Sequence, residues 1–89
     1  MGKFRSLIGK TIENGINSLV VGSFIINNIK LNHITNDGVK MFFVDCAWQQ
    51  KGTMADLFFD EKTLTEILEK GITTNDIPPF KNLFFRIKK

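Results

Sequence analysis

From Ile16 onward the chain takes up the two-residue apolar period of β-strands, interrupted only by short turn-forming stretches. The breaks are Gly22-Ser23, Asn36-Asp37-Gly38 and Gln49-Gln50-Lys51-Gly52-Thr53. A parallel connection takes roughly a dozen residues or more, so breaks this short can only be hairpins. The strands between them must therefore form an antiparallel sheet. In the Gly22-Ser23 turn, glycine at the first central position suits type II′ geometry, and pairing through it sets Val21 against Phe24 and Leu19 against Ile26.

Around the next turn two registers compete. A two-residue turn at Asp37-Gly38 sets Leu31 opposite Val44, Ile29 opposite Cys46 and Lys30 opposite Asp45. A three-residue turn sets Leu31 opposite Phe43 and places Asp45 against the apolar Ile29. The first is preferred, because it gathers Ile29, Leu31, Phe42, Val44, Cys46 and Trp48 on one face and makes a Lys30–Asp45 pair on the other. Phe24, Ile26, Ile34, Met41 and Phe43 fall on the second face.

Two segments break the two-residue period. Phe4, Leu7, Ile8 and Ile12 recur at helical spacing, with Asn14-Gly15 as the helix end and Gly9 inside it; the competing reading makes Asn14-Gly15 a type I′ hairpin turn. Leu64, Ile67 and Leu68 form a second helical stripe, entered at Asp60 as N-cap and left at Gly71, with Lys70 in the last turn. Met54 to Phe59 reads as a short strand. Residues 72–81, with Asn75, Asp76 and Pro78-Pro79, read as an extended connection, and residues 82–88 as a last strand with Phe84, Arg86 and Lys88 outward. The predicted fold is a single α+β domain over residues 1–89. It has an antiparallel sheet of four to five strands with two helices packed on one face, in the order α-β-β-β-β-α-β.

Residues 23–31, SFIINNIKL, followed by a turn and an apolar strand, resemble the central hairpin of the stage V sporulation protein G family of small nucleic-acid binders. That family's Met-Pro-Ser stretch after the second strand is replaced here by Asp45-Cys46-Ala47. No site residue is carried over.

Chemistry-bearing residues are sparse in this chain of 89 residues, which has one histidine and one cysteine. In the preferred register His33 and Cys46 share a face but stand four residues apart. At about 3.3 Å per residue that is roughly 13 Å, too far for a nucleophile and its base. Asp45 and Asp56, on neighbouring strands, could face a divalent cation, but two carboxylates are too few to define a site. Gly9-Lys10-Thr11 lacks the glycine spacing of a phosphate loop. No catalytic residue, cofactor or metal is assigned. A lone thiol and the absence of a cleavable leader favour a cytoplasmic protein, and the weakly polar run at 15–26 is too short to span a bilayer. Abundant Ile, Lys, Asn and Phe suggest an AT-rich genome, as in many phages and mobile elements.

Surface chemistry remains. Nine phenylalanines and apolar groups on both sheet faces exceed what helices on one face can cover. The leading expectation is a non-enzymatic interaction protein, a regulator or inhibitor that binds a protein partner or itself through an apolar sheet face or edge. Its candidate contacts are Trp48, Gln49, Gln50, Lys51, Phe24, Phe42 and Phe43, with Trp48 as a partly exposed anchor. The alternative is a nucleic-acid binder using Lys30, Lys40, Lys51, Phe84, Arg86, Lys88 and Lys89, consistent with a net charge of +3. A small enzyme or metal protein comes third.

Overall fold

A computed structural model describes residues 2–77 and 80–88. A 3-10 helix, η1 (Gly2–Leu7), precedes strands β1 (Thr11–Ile16), β2 (Leu19–Ile34), β3 (Lys40–Trp48) and β4 (Thr53–Asp60); helix α1 (Glu61–Lys70) and strands β5 (Ile72–Ile77) and β6 (Phe80–Ile87) follow. The six strands form one antiparallel sheet in the order β4-β3-β2-β1-β6-β5. The sheet is larger than the sequence suggests, and there is one α-helix rather than two.

The N-terminal stripe divides between two elements. Phe4 and Leu7 reach the core from η1, and Ile12 reaches it from β1. Gly9, at φ +90, lies where the chain leaves η1, and its N–H donates to the Ile26 carbonyl at 2.8 Å. A helix over 3–14 would bury the same three side chains, but pairing β1 to both β2 and β6 gives its backbone groups partners on two sides.

The first hairpin turns at Asn17-Ser18, with φ of 53 and 71, and Ile16 pairs with Leu19 across it. This is the two-residue turn with positive φ at both central positions. Neither Asn14-Gly15 nor Gly22-Ser23 is a turn. Both glycines lie inside strands and make room for rings. A Cβ on Gly15 would fall 2.2 Å from Phe84 Cζ, and one on Gly22 would fall 3.2 Å from Phe24 Cε2.

Neither expected register between β2 and β3 occurs. Leu31 faces Phe42, Ile29 faces Val44 and Lys30 faces Phe43. The turn is a wider loop through Asn36, Asp37 and Gly38, in which Thr35 N donates to the Val39 carbonyl at 2.9 Å. Register shifts leave Asn27 and Asn32 without directly opposed partners. Each extra residue reverses the alternation. Ile26 therefore joins Ile29 in the interior, and Phe24 shares that face rather than the opposite one. His33, opposite Met41, falls on the face away from Cys46, so these two do not share a face as the sequence implied. Ile29, Leu31, Phe42, Val44, Cys46 and Trp48 do share one face, because β3 runs without a bulge.

Helix α1 forms between the expected caps. Asp60 Oδ1 accepts from Thr63 N at 2.8 Å; the Thr63 hydroxyl and then this backbone bond hold the Asp60 carboxyl below its ordinary range, and Gly71 adopts φ 77. Lys70, in the last turn, lies 4.0 Å from Glu66 one turn earlier. The segment after it is strand β5, hydrogen-bonded to β6, rather than a bare extended connection; Pro78-Pro79 lies outside the described residues. In β6, Leu83, Phe85 and Ile87 point one way and Phe84 and Arg86 the other, as the alternation predicts.

β4 and β5 are the two edges of the sheet, yet α1 joins them directly. The sheet therefore curls, and η1 and α1 pack into its concave side. The interior is Phe4, Leu7, Ile12, Ile26, Ile29, Phe42, Val44, Cys46, Phe59, Leu64 and Ile67. Among the described residues no helix is long and apolar enough to cross a membrane.

Candidate functional site

The alternation that builds the concave core also decides what stands on the convex face. Phe58 and Phe59 are adjacent in β4, so they point to opposite sides. Phe59 is interior, and Phe58 is 55% exposed. β3 divides in the same way, with Phe42 buried against Phe4 at 5.0 Å and Phe43 on the convex face. Phe43 and Phe58 are directly opposed and meet edge to face, with centroids 5.3 Å apart and planes at 74°. Lys30, opposite Phe43 on β2, lays its ammonium 5.3 Å from the Phe43 ring centroid. Next along β4 on this face come Asp56, paired directly with Asp45, and then Met54, 62% exposed. The buried core lies on the other side, where η1 and α1 pack, and of α1 only Thr63 borders a cleft that Phe58 also lines.

The candidate contacts therefore lie in three places. Phe43 belongs to this open face. Phe42 is interior, a correction to its expected role as a contact residue. Phe24 and Trp48 stack on each other at 5.9 Å at one end of the concave face, both partly buried, with Lys51 5.6 Å from the Trp48 ring centroid. Gln49 N donates to the Ser23 carbonyl at 2.9 Å, and Gln50 Oε1 accepts from Ser23 N at 3.0 Å. Those bonds fasten the β3–β4 loop to β2. Trp48 Nε1 is buried and has no hydrogen-bond partner among the described residues.

The basic candidates are also dispersed. Lys30 replaces the expected Lys30–Asp45 pairing with its ring contact. Arg86 donates to Glu13 Oε1 at 2.9 Å and lies 5.2 Å from the Phe84 ring centroid, so part of the outward basic charge of β6 is neutralised. Phe84 itself is buried over Gly15. Lys40 lies near Lys3 and Glu61, around a cleft floored by Phe4 and Phe42. Lys88 follows β6, and Lys89 lies outside the described residues.

His33 is exposed and contacts Asn32 Nδ2 at 2.8 Å, whereas Cys46 is fully buried. Burial, reinforced by the negative charges of Asp45 and Asp56, pushes the Cys46 thiol up to about 12. A thiol held neutral and out of solvent is not a nucleophile at ordinary pH. Among the described residues no group of three His, Cys, Asp or Glu side chains is placed to hold a metal ion.

Sequence reasoning missed Phe58 and Met54. The signal was present, because adjacent phenylalanines in a strand cannot both enter one core.

No protein-family model, curated protein sequence or solved structure matches the chain.

Proposed function

We propose that this is a non-enzymatic interaction protein of regulator or inhibitor type. It binds a protein partner or itself through the convex surface of β3 and β4. One observation carries the reading: Phe58, more than half exposed, packs against Phe43 on a sheet face that η1 and α1 leave open. An aromatic pair with one ring exposed and one half-buried, with Met54 and Lys30 on the same face, has the composition of a contact patch, in which aromatics and methionine supply the buried area. An intracellular setting belongs to the same reading and fits the single buried thiol.

The test is light scattering behind size exclusion at high protein concentration, combined with binding of an apolar dye. Self-association or dye binding that Phe58→Ser removes supports the reading. A strict monomer that binds no dye overturns it.

The Lys30–Phe43–Phe58 cluster also favours a second reading, in which single-stranded nucleic acid stacks on the rings and a phosphate meets Lys30. Asp45 and Asp56 beside it oppose a polyanion. Oligonucleotide binding that falls steeply with salt and is lost in Phe58→Ser supports this second reading; no binding at low salt ends it.

A further inference from the structure

The open edge of β4 borders this face, and its chemistry is specific enough to describe a partner. Among the described residues β4 pairs with β3 on one side and has no strand partner on the other. An exposed strand edge is a template for another strand, and proteins that leave one apolar use it or protect it. Its one charge before the terminal Asp60 is Asp56. Met54 and Phe58 project beside it, and it carries no proline, lysine or bulge. The same edge borders a groove of about 380 Å³ between β4 and β6, lined by Leu57, Phe59, Leu83 and Phe85, by Met41 and Phe58 from the other face, and by Asp60 and Thr63 at the start of α1.

Charge narrows the choice of occupant. Asp45 and Asp56 are directly opposed in the β3–β4 register, and neither forms an ion pair among the described residues. Directly opposed like charges destabilise a sheet. A cation placed on the convex side beside Asp56 would relieve that repulsion. A second copy pairing through its own β4 would instead bring another Asp45–Asp56 pair onto the same face.

We propose that β4 takes an extended segment of a protein partner as an added strand. The segment is apolar at alternate positions, which enter the groove between β4 and β6. It carries lysine or arginine at the intervening positions, which stand on the convex face against Asp56. This rests on the reading of the protein as an interaction module and names the partner's chemistry.

The experiment uses the full chain and two capped heptapeptides, one alternating valine with lysine and one alternating valine with glutamate. Binding is followed by backbone amide shifts and by hydrogen exchange. The lysine peptide is expected to bind roughly tenfold tighter than the glutamate peptide. Its shifts should centre on β4, and the outward amides of β4 should gain protection. Asp56→Asn should remove the preference and Asp56→Lys should reverse it, with thermal melts verifying that both variants fold. Equal binding, binding of neither peptide, shifts centred on another element, or a preference unchanged in Asp56→Lys overturns the proposal. So does a dimer whose β4 amides are already protected without peptide, because the occupant is then a second copy. Dye binding and self-association that depend on Phe58 are read separately, so the broader reading can stand where the β4 proposal fails.

Discussion

Phe59 and Phe85 meet edge to face, with centroids 4.9 Å apart and planes at 86°, although β3, β2 and β1 stand between their strands in the sheet order. This contact measures the curl of the sheet, because two strands so far apart in a flat sheet could not touch. The curl in turn brings the edges close enough for α1 to join them. The pair should therefore be energetically coupled. Phe59→Ala should cost about 3–5 kcal/mol, as for a buried aromatic truncation. Phe85→Ala, less buried, should cost less. A double-mutant cycle by urea denaturation should return a coupling of about 0.5–1.5 kcal/mol. A coupling of zero would mean that the two rings do not hold the curl.

The two in-strand glycines should respond differently to alanine. At Gly15 a Cβ would meet Phe84 Cζ at 2.2 Å and the Leu19 carbonyl oxygen at 2.4 Å; the second is backbone and cannot swing aside. Gly15→Ala should destabilise by about 3 kcal/mol, the upper end for overpacking. Adding Phe84→Leu should not restore it, because the backbone clash remains. At Gly22 the nearest atom is the edge of the Phe24 ring at 3.2 Å, which has room to give, so Gly22→Ala should be much milder. Equal melting temperatures for the two variants would contradict this packing.

The same glycines show how far the sequence could be read. Patterns that depend on one element were legible: the caps Asp60 and Gly71, the alternation of β3 and β6, and the inward set from Ile29 to Trp48. What failed depends on groups distant in sequence. Gly22-Ser23 has better turn chemistry than Asn17-Ser18, yet it lies in a strand because Phe24 and Trp48 stack beside it. Asn27 and Asn32 give no periodic signal as bulges, yet the first decides whether Ile26 is inside or outside and the second which face His33 takes. Which aromatics stand on the proposed contact face was partly legible for the same reason. Phe43 follows from the phase of β3 alone, whereas removing Phe42 from the contact set required knowing that Phe4 covers it.

Cys46 gives a prediction in pH. Its thiol is raised from 9.0 to about 12 in the folded protein by burial and by Asp45 and Asp56. The unfolded chain therefore loses this proton at lower pH than the folded chain. Between these two values the folded state binds more protons, so stability should fall as pH rises, and no such loss should arise from Cys46 below the lower value. Cys46→Ala should flatten that part of the urea-midpoint profile. In the native protein at neutral pH a thiol reagent should react only as fast as the protein opens, and the rate should rise sharply in denaturant. Fast labelling of the folded protein would place the thiol at the surface.

Trp48 separates the packing of its ring from the needs of its nitrogen. The ring stacks on Phe24 and carries Lys51 above it, but Nε1 is buried without a partner among the described residues. A buried donor left unsatisfied costs about 1–3 kcal/mol. Phenylalanine keeps an aromatic face against Phe24 and removes the donor. Trp48→Phe should therefore be neutral or slightly stabilising, while Trp48→Ala, which loses the stack as well, should be clearly destabilising. Chemical denaturation of the two variants, followed by far-ultraviolet circular dichroism because the single tryptophan is lost, checks both. If Trp48 also anchors a partner, Trp48→Phe should weaken binding while leaving the melting temperature unchanged. A Trp48→Phe variant that is as unstable as Trp48→Ala would show that the indole nitrogen does have a partner and that the residue serves the core rather than a contact.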